Sequence, residues 1–322
     1  MTSADLSKIR KRYIGKLTIK EPYSRTKWLS VRFRAYLDLF RGFTLLAPFI
    51  VSMSIMVASL IYSGKTIPGD WWITVGQASL TIVIVNAASN SLNQATDVKG
   101  DKISKPYRPI PLGIVKPDEA QSLAYILYLI ALLRSATITP WFGFFIFLIM
   151  VFTVTYSLPP RMKQYLFINQ IWIAIPRGFL GILAAWSVFG NPFEPTPLII
   201  GAIATTYLTG GMATKDIVDS VADKQTGIRT LINTYGNRKT AWICFPFMLF
   251  PFLFIPMLFN YGLEGYLWPL IIVFLPSILI LYLMIKPAES STLENVHAWS
   301  IMYTQYIFFA LSFSLLTIFN SA

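Results

Sequence analysis

The chain has 322 residues, of which 55% are hydrophobic and 13% are charged, and its formal net charge is +12. A soluble domain carries roughly twice this share of charged residues, so the composition favours a polytopic membrane protein. The single cysteine, Cys244, excludes a disulfide framework, and the single histidine, His297, excludes a multi-histidine metal centre. No compact basic domain stands apart from the apolar segments, so no nucleic-acid partner is expected.

The first 41 residues are polar and basic, and they lack the apolar centre of a cleaved signal. We interpret residues 1–41 as a cytosolic basic arm and residues 42–322 as a single transmembrane domain.

The rest of the chain is a series of apolar segments that reach the length needed to cross a bilayer, about 20 residues. Barrel strands would instead alternate over roughly 10 residues, so the sequence predicts an all-α fold. The nine predicted spans are 42–62, 71–92, 119–133, 140–158, 165–188, 197–214, 240–259, 266–285 and 297–319.

Lys and Arg are distributed unevenly between the two ends of these spans. With a cytosolic N-terminus, 24 of them fall on the cytosolic side and 2 on the other, and Arg177 lies within the fifth span. Because Lys and Arg resist translocation, the pattern predicts an N-terminus in the cytosol and a C-terminus outside. The basic cytosolic face suits anionic membrane lipids and anionic substrates.

Two acidic segments, "NQATDVKGDK" and "KDIVDSVADK", follow the second and sixth predicted spans. The spacing within each set keeps its side chains on one face of a helix. At the C-terminal end of a helix the dipole would add to the repulsion between carboxylates, so a cation is needed there. Hard oxygen ligands suit Mg²⁺, which completes its shell with water and substrate phosphate. The candidate metal ligands are Asn93, Asp97, Asp101, Asp216, Asp219 and Asp223.

Basic residues flank the acidic segments in "ISKPYRPIPLG" and "YSLPPRMK". Arginine pairs bidentately with phosphate oxygens, and lysine adds a point charge. A guanidinium inside a span is costly and rarely faces lipid, so Arg177 is expected to face a cavity or an acidic partner. The candidates for binding a diphosphate or an acceptor are Asn93, Lys105, Arg108, Tyr156, Arg161, Lys163 and Arg177.

These residues and their flanks resemble the UbiA superfamily of intramembrane prenyltransferases. That superfamily pairs an NxxxDxxxD segment after the second helix with a DxxxD segment after the sixth. The segment "NQATDVKGDKISKPY" is similar to the corresponding segment of homogentisate prenyltransferases. The ending "RPIP" is shared with chlorophyll synthases, 4-hydroxybenzoate transferases and digeranylgeranylglyceryl phosphate synthases. One departure is Gln94, where many members carry Asp.

The resemblance implies helices around a central cavity that the two acidic loops cap. It implies Mg²⁺-dependent transfer of a prenyl group from a prenyl diphosphate to a lipophilic acceptor. The acceptor is open between an aromatic quinone precursor and a glyceryl phosphate ether lipid. The implied catalytic residues, which would hold the metal ions, are Asp97, Asp101, Asp219 and Asp223, with Asn93 and Asp216 assisting.

Three other functions stay open. A UbiA-type terpene cyclase or carotenoid elongase uses the same acidic motifs. A cation or phosphate transporter is a more distant alternative, because transporter sites lie near the bilayer midplane, whereas these acidic residues lie at span ends. Aromatic faces would stabilise a carbocation-like prenyl fragment in the enzymes. The aromatic candidates for a cavity wall are Phe144, Phe145, Phe147, Trp172 and Tyr207.

Overall fold

The structure is a computed structural model, and it describes residues 25–64, 66–286 and 296–321. Within these ranges the regular secondary structure is helical, without strands, as the sequence predicts. Most of the predicted N-terminal arm lies outside the described residues.

The α-helices follow one another with short connections. In chain order they are α1 (Arg25–Leu39), α2 (Leu46–Tyr62), α3 (Trp71–Thr96), α4 (Val98–Ser104), α5 (Pro117–Ala136), α6 (Pro140–Ser157), α7 (Ile168–Arg177), α8 (Phe179–Trp186), α9 (Pro195–Gly211), α10 (Asp216–Thr226), α11 (Leu231–Leu253), α12 (Ile255–Leu258), α13 (Leu275–Ile285) and α14 (His297–Ser321). Segments of 3₁₀-helix lie at Gly42–Leu45, Met162–Gln164, Met212–Lys215, Phe259–Tyr261 and Gly265–Phe274.

Six helical segments of the described chain are long and apolar enough to cross a membrane. They are Gly42–Tyr62, Trp71–Thr96, Pro140–Ser157, Ile168–Trp186, Gly265–Ile285 and His297–Asn320. A seventh is reached if α11 and the segment Ile255–Tyr261, which are bent by 52°, form one span.

Two of the nine predicted spans fall short of that test. Helix α5 has charged residues in its first and last turns, and α9 has 17 residues, fewer than the roughly 20 that a bilayer requires. A polytopic helical membrane protein is therefore confirmed, while nine spans and the orientation of the termini stay predictions.

Proline and threonine define where several helices begin. Pro117, Pro140 and Pro195 each occupy the first position of a helix, where the missing N–H costs nothing. The Thr139 hydroxyl accepts a hydrogen bond from the Phe142 N–H at 3.1 Å and caps α6. These local signals are readable in the sequence, so the helix starts lie close to the predicted ones.

Close packing of small residues holds the spans together. Helix α3 packs along α5 and α14 packs along α2. Ala88 on α3 and Ala124 and Ala131 on α5 are fully buried. Small side chains let helix backbones approach closely, which is how helices associate in lipid.

Part of the predicted arm is a helix that packs on the rest of the chain. Ala35 and Leu39 of α1 are buried in a small cluster with Ala95, Ile110 and Ala120. This contact places the end of α1 beside the end of α3, at the side of the molecule that carries the first acidic segment.

The helices surround a cavity of about 750 Å³. Its walls come from α2, α3, α6, α7, α8, α9 and α14, and its charged end comes from α4, α10 and the loop around Lys105. The central cavity that the resemblance implied is therefore present, and both acidic segments line it.

Candidate active site

The first acidic segment lies where α3 bends into α4. Asp97 has φ −103° and ψ 18°, outside the helical region, so the motif is not on one straight helix as predicted. The backbone ladder nevertheless continues, since Asp97 N–H donates to Asn93 O at 3.0 Å and Asp101 N–H to Asp97 O at 2.8 Å. The bend turns the three motif side chains toward the cavity.

The second acidic segment lies at the start of α10, after a 3₁₀ segment that ends the preceding helix. Asp216 and Asp219 occupy the first turn of α10. Carboxylates are stabilised at a helix N-terminus. The predicted position at a C-terminal helix end, with an unfavourable dipole, is therefore wrong for this set.

Both carboxylates of the first segment, Asp97 and Asp101, form ion pairs with basic side chains. Arg161 Nη2 donates to Asp97 Oδ1 at 3.0 Å, and Lys163 forms a second ion pair with the same oxygen. Arg108 Nη1 donates to both oxygens of Asp101, at 3.0 and 2.9 Å. The predicted diphosphate ligands thus lie directly beside the predicted metal ligands.

An ion pair between Lys105 and Asp219 connects the two acidic segments. Burial alone would raise the pKa of Asp219, but the neighbouring Lys105 ammonium lowers that pKa to about 2. Asp219 is therefore ionised at any physiological pH. The two acidic segments are in direct contact. Spacing in the sequence could only suggest that contact.

A half-buried lysine, Lys215, which the sequence analysis did not include among its candidates, holds the start of α10. Lys215 forms an ion pair with Asp216 and hydrogen-bonds Asn169 Oδ1 at 3.3 Å. Asn169 Nδ2 in turn donates to Asp216 Oδ2 at 3.4 Å. Burial alone would lower the pKa of Lys215, but the Asp216 carboxylate more than offsets it and raises that pKa. The signal that could have found Lys215 is its place directly before Asp216.

Two of the predicted metal ligands have no partner within the described part of the chain. The side chains of Asn93 and Asp223 line the cavity and make no hydrogen bond or ion pair there. Burial, together with the carboxylates of Asp216 and Asp219, raises the pKa of Asp223 to about 8. A carboxyl group that shares a site with other carboxylates and forms no ion pair within the described residues suits a hard divalent metal ion.

The donor set therefore fits Mg²⁺ by its chemistry. Across the described ranges, however, no three Asp, Glu, His or Cys side chains are already gathered as a metal site. The basic side chains on Asp97, Asp101, Asp216 and Asp219 hold the carboxylates in separate ion pairs.

The remaining two predicted substrate ligands also line the cavity. Tyr156 lies beneath Lys163, whose Nζ is 5.8 Å from the ring centroid. Arg177 faces the cavity and not lipid, and its Nη2 donates to Asn86 Oδ1 at 3.4 Å. Arg177 therefore faces the cavity, as the sequence analysis expected.

A second arginine, Arg41, also lines the cavity. The sequence analysis assigned it only to the basic arm. It lies in the turn between α1 and α2 with φ 55° and ψ 63°. A non-glycine residue in this left-handed region is uncommon. Its position directly before the first predicted span is the only sequence signal that could have identified it.

Of the five aromatic candidates for the cavity wall, only Trp172 lines the cavity, and the other four pack against helices or face outward. Phe144 and Phe147 are exposed on the outer surface, and Phe145 and Tyr207 are buried in the core, because all four side chains point away from the cavity. Trp172 does line the cavity, and its indole N–H donates to Phe152 O at 3.1 Å. The aromatic residues of the cavity wall are Phe152, Tyr156, Trp172, Trp299, Tyr303 and Tyr306.

Known proteins are similar to this chain in sequence and in fold. The profile of the UbiA prenyltransferase family matches residues 49–316. A digeranylgeranylglyceryl phosphate synthase from Methanosarcina mazei is 26% identical over 67% of this chain and 75% of its own length. One from Methanosphaera stadtmanae is 24% identical over 81% of this chain and 91% of its own. The structure of a UbiA homolog from Archaeoglobus fulgidus bound to GPP and Mg²⁺ superposes with a TM-score of 0.69 at 18% identity, covering 88% of this chain and 98% of that one.

Proposed function

The chain belongs to the UbiA prenyltransferase family and is an integral membrane prenyltransferase, and we propose that it transfers a prenyl group from a prenyl diphosphate to a lipophilic glyceryl phosphate. Two separate sets of cations in one cavity carry this proposal. One set forms ion pairs with the carboxylates, and the other, Arg41 and Arg177, lines the same cavity.

The prenyl diphosphate would bind with its diphosphate among the first set of cations. Lys105, Arg108 and Lys163 are buried at the charged end of the cavity. Charge-assisted contacts to phosphate oxygens are strong in such a partly desolvated place. The apolar walls beyond them, which include Val85, Ile149 and other aliphatic residues of the cavity, suit a prenyl chain.

The proposed ligands of Mg²⁺ are Asn93, Asp97, Asp101, Asp216, Asp219 and Asp223. When bound, Mg²⁺ would offset the negative charge of the departing diphosphate.

In the proposed reaction the bond between the allylic carbon and the diphosphate oxygen breaks, and diphosphate keeps the electron pair. Lys105 and Arg108 would bind the charge that develops on this leaving group. The faces of Phe152 and Trp172 would stabilise positive charge on the prenyl fragment and shield it from water. An acceptor hydroxyl oxygen then bonds to that carbon, and its proton passes to the released diphosphate.

An anionic acceptor headgroup accounts for the second set of cations. A cavity that only cyclises or elongates a hydrocarbon has no use for two guanidinium groups beyond the cations that bind the diphosphate. Arg41 and Arg177 can each bind phosphate oxygens bidentately. The relatives described above are named for a glyceryl phosphate product, which supports this acceptor over an aromatic quinone precursor.

The test is an assay of purified protein in vesicles with Mg²⁺ and radiolabelled geranylgeranyl diphosphate. Acceptors would be a prenylglyceryl phosphate, 4-hydroxybenzoate, homogentisate or none. We expect labelled lipid only with the glyceryl phosphate and none from Asp219→Asn, with Asp118→Asn, an exposed residue of α5, as the matched control. Product from an aromatic acid would overturn the acceptor, and a hydrocarbon product without acceptor would favour a cyclase.

A further inference from the structure

Helix α3 carries a second polar stripe beside its acidic one, made of Asn86, Asn90 and Gln94 at intervals of four residues. Its members donate hydrogen bonds to the backbone of the turn between α1 and α2. Gln94 Nε2 donates to Leu39 O at 2.8 Å, and Asn90 Nδ2 donates to Phe40 O at 2.8 Å. The last two residues before Arg41 are thus both held by amide side chains of α3.

The residues after Arg41 are held in the same way. Asn86 Nδ2 donates to Thr44 O at 3.1 Å, and Asn90 Nδ2 also donates to Thr44 Oγ1 at 2.8 Å. Thr44 in turn donates from its hydroxyl to Arg41 O at 2.8 Å and from its backbone N–H to the same oxygen at 2.7 Å. The backbone on both sides of Arg41 is therefore tied to one helix face.

These bonds hold Arg41 in a conformation that it would not adopt unaided. Its positive φ is unfavourable for a residue with a Cβ, and such backbone strain persists only where the surroundings over-determine it, commonly at ligand sites. Tyr303 adds a further restraint, because its hydroxyl donates to Phe43 O at 3.2 Å and accepts from Ala47 N–H at 2.7 Å.

We propose that Gln94 and Asn90 are positioning residues, which hold the turn so that the Arg41 guanidinium binds the anionic headgroup of the acceptor. This inference rests on the proposed acceptor binding at Arg41 and Arg177. The same stripe reaches both arginines, since Asn86 donates to the turn and accepts from Arg177.

The chemistry of residue 94 explains why it is an amide. Its role is to donate to a carbonyl oxygen, and an aspartate at this position could not donate. Gln94 is buried, and its Oε1 has no hydrogen-bond partner within the described residues. Gln94 thus acts through its N–H donor. The neighbouring metal-ligand candidates would instead act through their oxygen atoms.

The experiment compares Gln94→Leu, Arg41→Gln and the double variant in steady-state kinetics of the vesicle-bound enzyme. Removing the charged ligand in Arg41→Gln should raise the acceptor KM about 10- to 150-fold. Gln94→Leu should raise it about 10-fold, with kcat and the prenyl diphosphate KM within about 2-fold of wild type. Gln77→Leu, an exposed position of the same helix, is the matched control and should be silent.

The double variant decides whether Gln94 acts through Arg41. If it does, Gln94→Leu adds nothing to Arg41→Gln, because the residue that it positions is already gone. The inference would be overturned if the effects of the two substitutions on the acceptor KM multiplied in the double variant. It would also be overturned if Gln94→Leu changed the KM values of both substrates equally. A lower melting temperature with unchanged acceptor KM would also overturn it, since that is the result of a purely structural bond.

The outcomes for the proposed function are distinct from these. Turnover of an aromatic carboxylate in place of a glyceryl phosphate would overturn the proposed acceptor. If Gln94→Leu then raised the KM of that carboxylate, the positioning role would stand. Turnover of a neutral acceptor that Arg41→Gln leaves unchanged would overturn both.

Discussion

Lys105 and Asp219 form an ion pair that joins the two acidic segments, although 114 residues separate them in the chain. The lysine side chain is 6% exposed and the aspartate side chain 28% exposed. A cation from the loop directly after the first segment thus pairs with a carboxylate of the second. A metal ion bound to Oδ1 of Asp219 would compete with Lys105 for that oxygen, and a displaced ammonium could bind diphosphate.

Replacing this lysine should therefore have opposite effects on metal and substrate. We expect Lys105→Met to bind Mg²⁺ more tightly than wild type when no substrate is present, because the competing cation is gone. We expect kcat/KM for the prenyl diphosphate to fall about 10- to 150-fold, the result of losing one charge-assisted contact. Calorimetric Mg²⁺ titration and steady-state kinetics measure the two effects. Lys102→Met, an exposed position of α4, should change neither, and unchanged Mg²⁺ affinity in Lys105→Met would contradict the competition.

Arg108 binds through one nitrogen to both oxygens of Asp101, and both side chains are buried. A guanidinium has a planar arrangement of donors that suits a phosphate, and lysine lacks this arrangement. We expect Arg108→Lys to lower kcat/KM for the prenyl diphosphate about 10- to 150-fold, with little change in the acceptor KM. Arg238→Lys, on the exposed surface of α11, is the matched control. Wild-type kinetics for Arg108→Lys would reduce this arginine to a topology marker.

Lys163 and Arg161 both bind Asp97 but differ in burial, with side chains 4% and 40% exposed. A solvent-screened pair contributes little, whereas a desolvated charge interacts strongly with its partners. We therefore expect Lys163→Met to lower kcat/KM for the prenyl diphosphate about 10-fold or more and Arg161→Met less than about 3-fold. The reverse order would show that the exposed arginine is the diphosphate ligand.

Gly178 lies between α7 and α8, where the helices bend directly after Arg177. A Cβ at this position would come within 2.6 Å of Thr205 N on α9. We expect Gly178→Ala to destabilise the protein by about 1–3 kcal/mol, the typical cost of overpacking. Gly76→Ala, where a Cβ would meet nothing within 4 Å, should be neutral or slightly stabilising. Thermal unfolding in detergent compares the two, and equal melting temperatures would show that the α8–α9 contact can relax.

The orientation in the membrane is testable because the only cysteine, Cys244, is buried. In a Cys244→Ala background, cysteines introduced at Lys99 and Lys224 should react with an impermeant reagent only from the cytosolic side. A cysteine at Asn191 should react only from outside. All three positions are exposed, so a lack of labelling reports sidedness and not burial. The opposite pattern would overturn the predicted orientation and the cytosolic placement of the basic face.

Some of the site could be predicted because it depends on residues close together in the chain. The spacing of Asn93, Asp97 and Asp101 places three oxygen ligands on neighbouring turns wherever that segment folds. The expected orientation of Arg177 also needed only the cost of a guanidinium in lipid. The sequence could not show in which direction Phe144 and Phe147 face, because an apolar helix in lipid shows no periodicity that separates its cavity face from its outer face.

The membrane class, the helical fold and the two acidic segments follow from the amino-acid sequence, since a bilayer demands long apolar runs and metal–phosphate chemistry demands clustered carboxylates. The pairing of each basic side chain with its carboxylate, the entry of Arg41 into the cavity and the hydrogen bond from Gln94 to the turn depend on how the helices pack. The physical reason is that these contacts form between helices. An ion pair such as Lys105–Asp219, or a hydrogen bond such as Gln94–Leu39, exists only once packing has brought distant segments together.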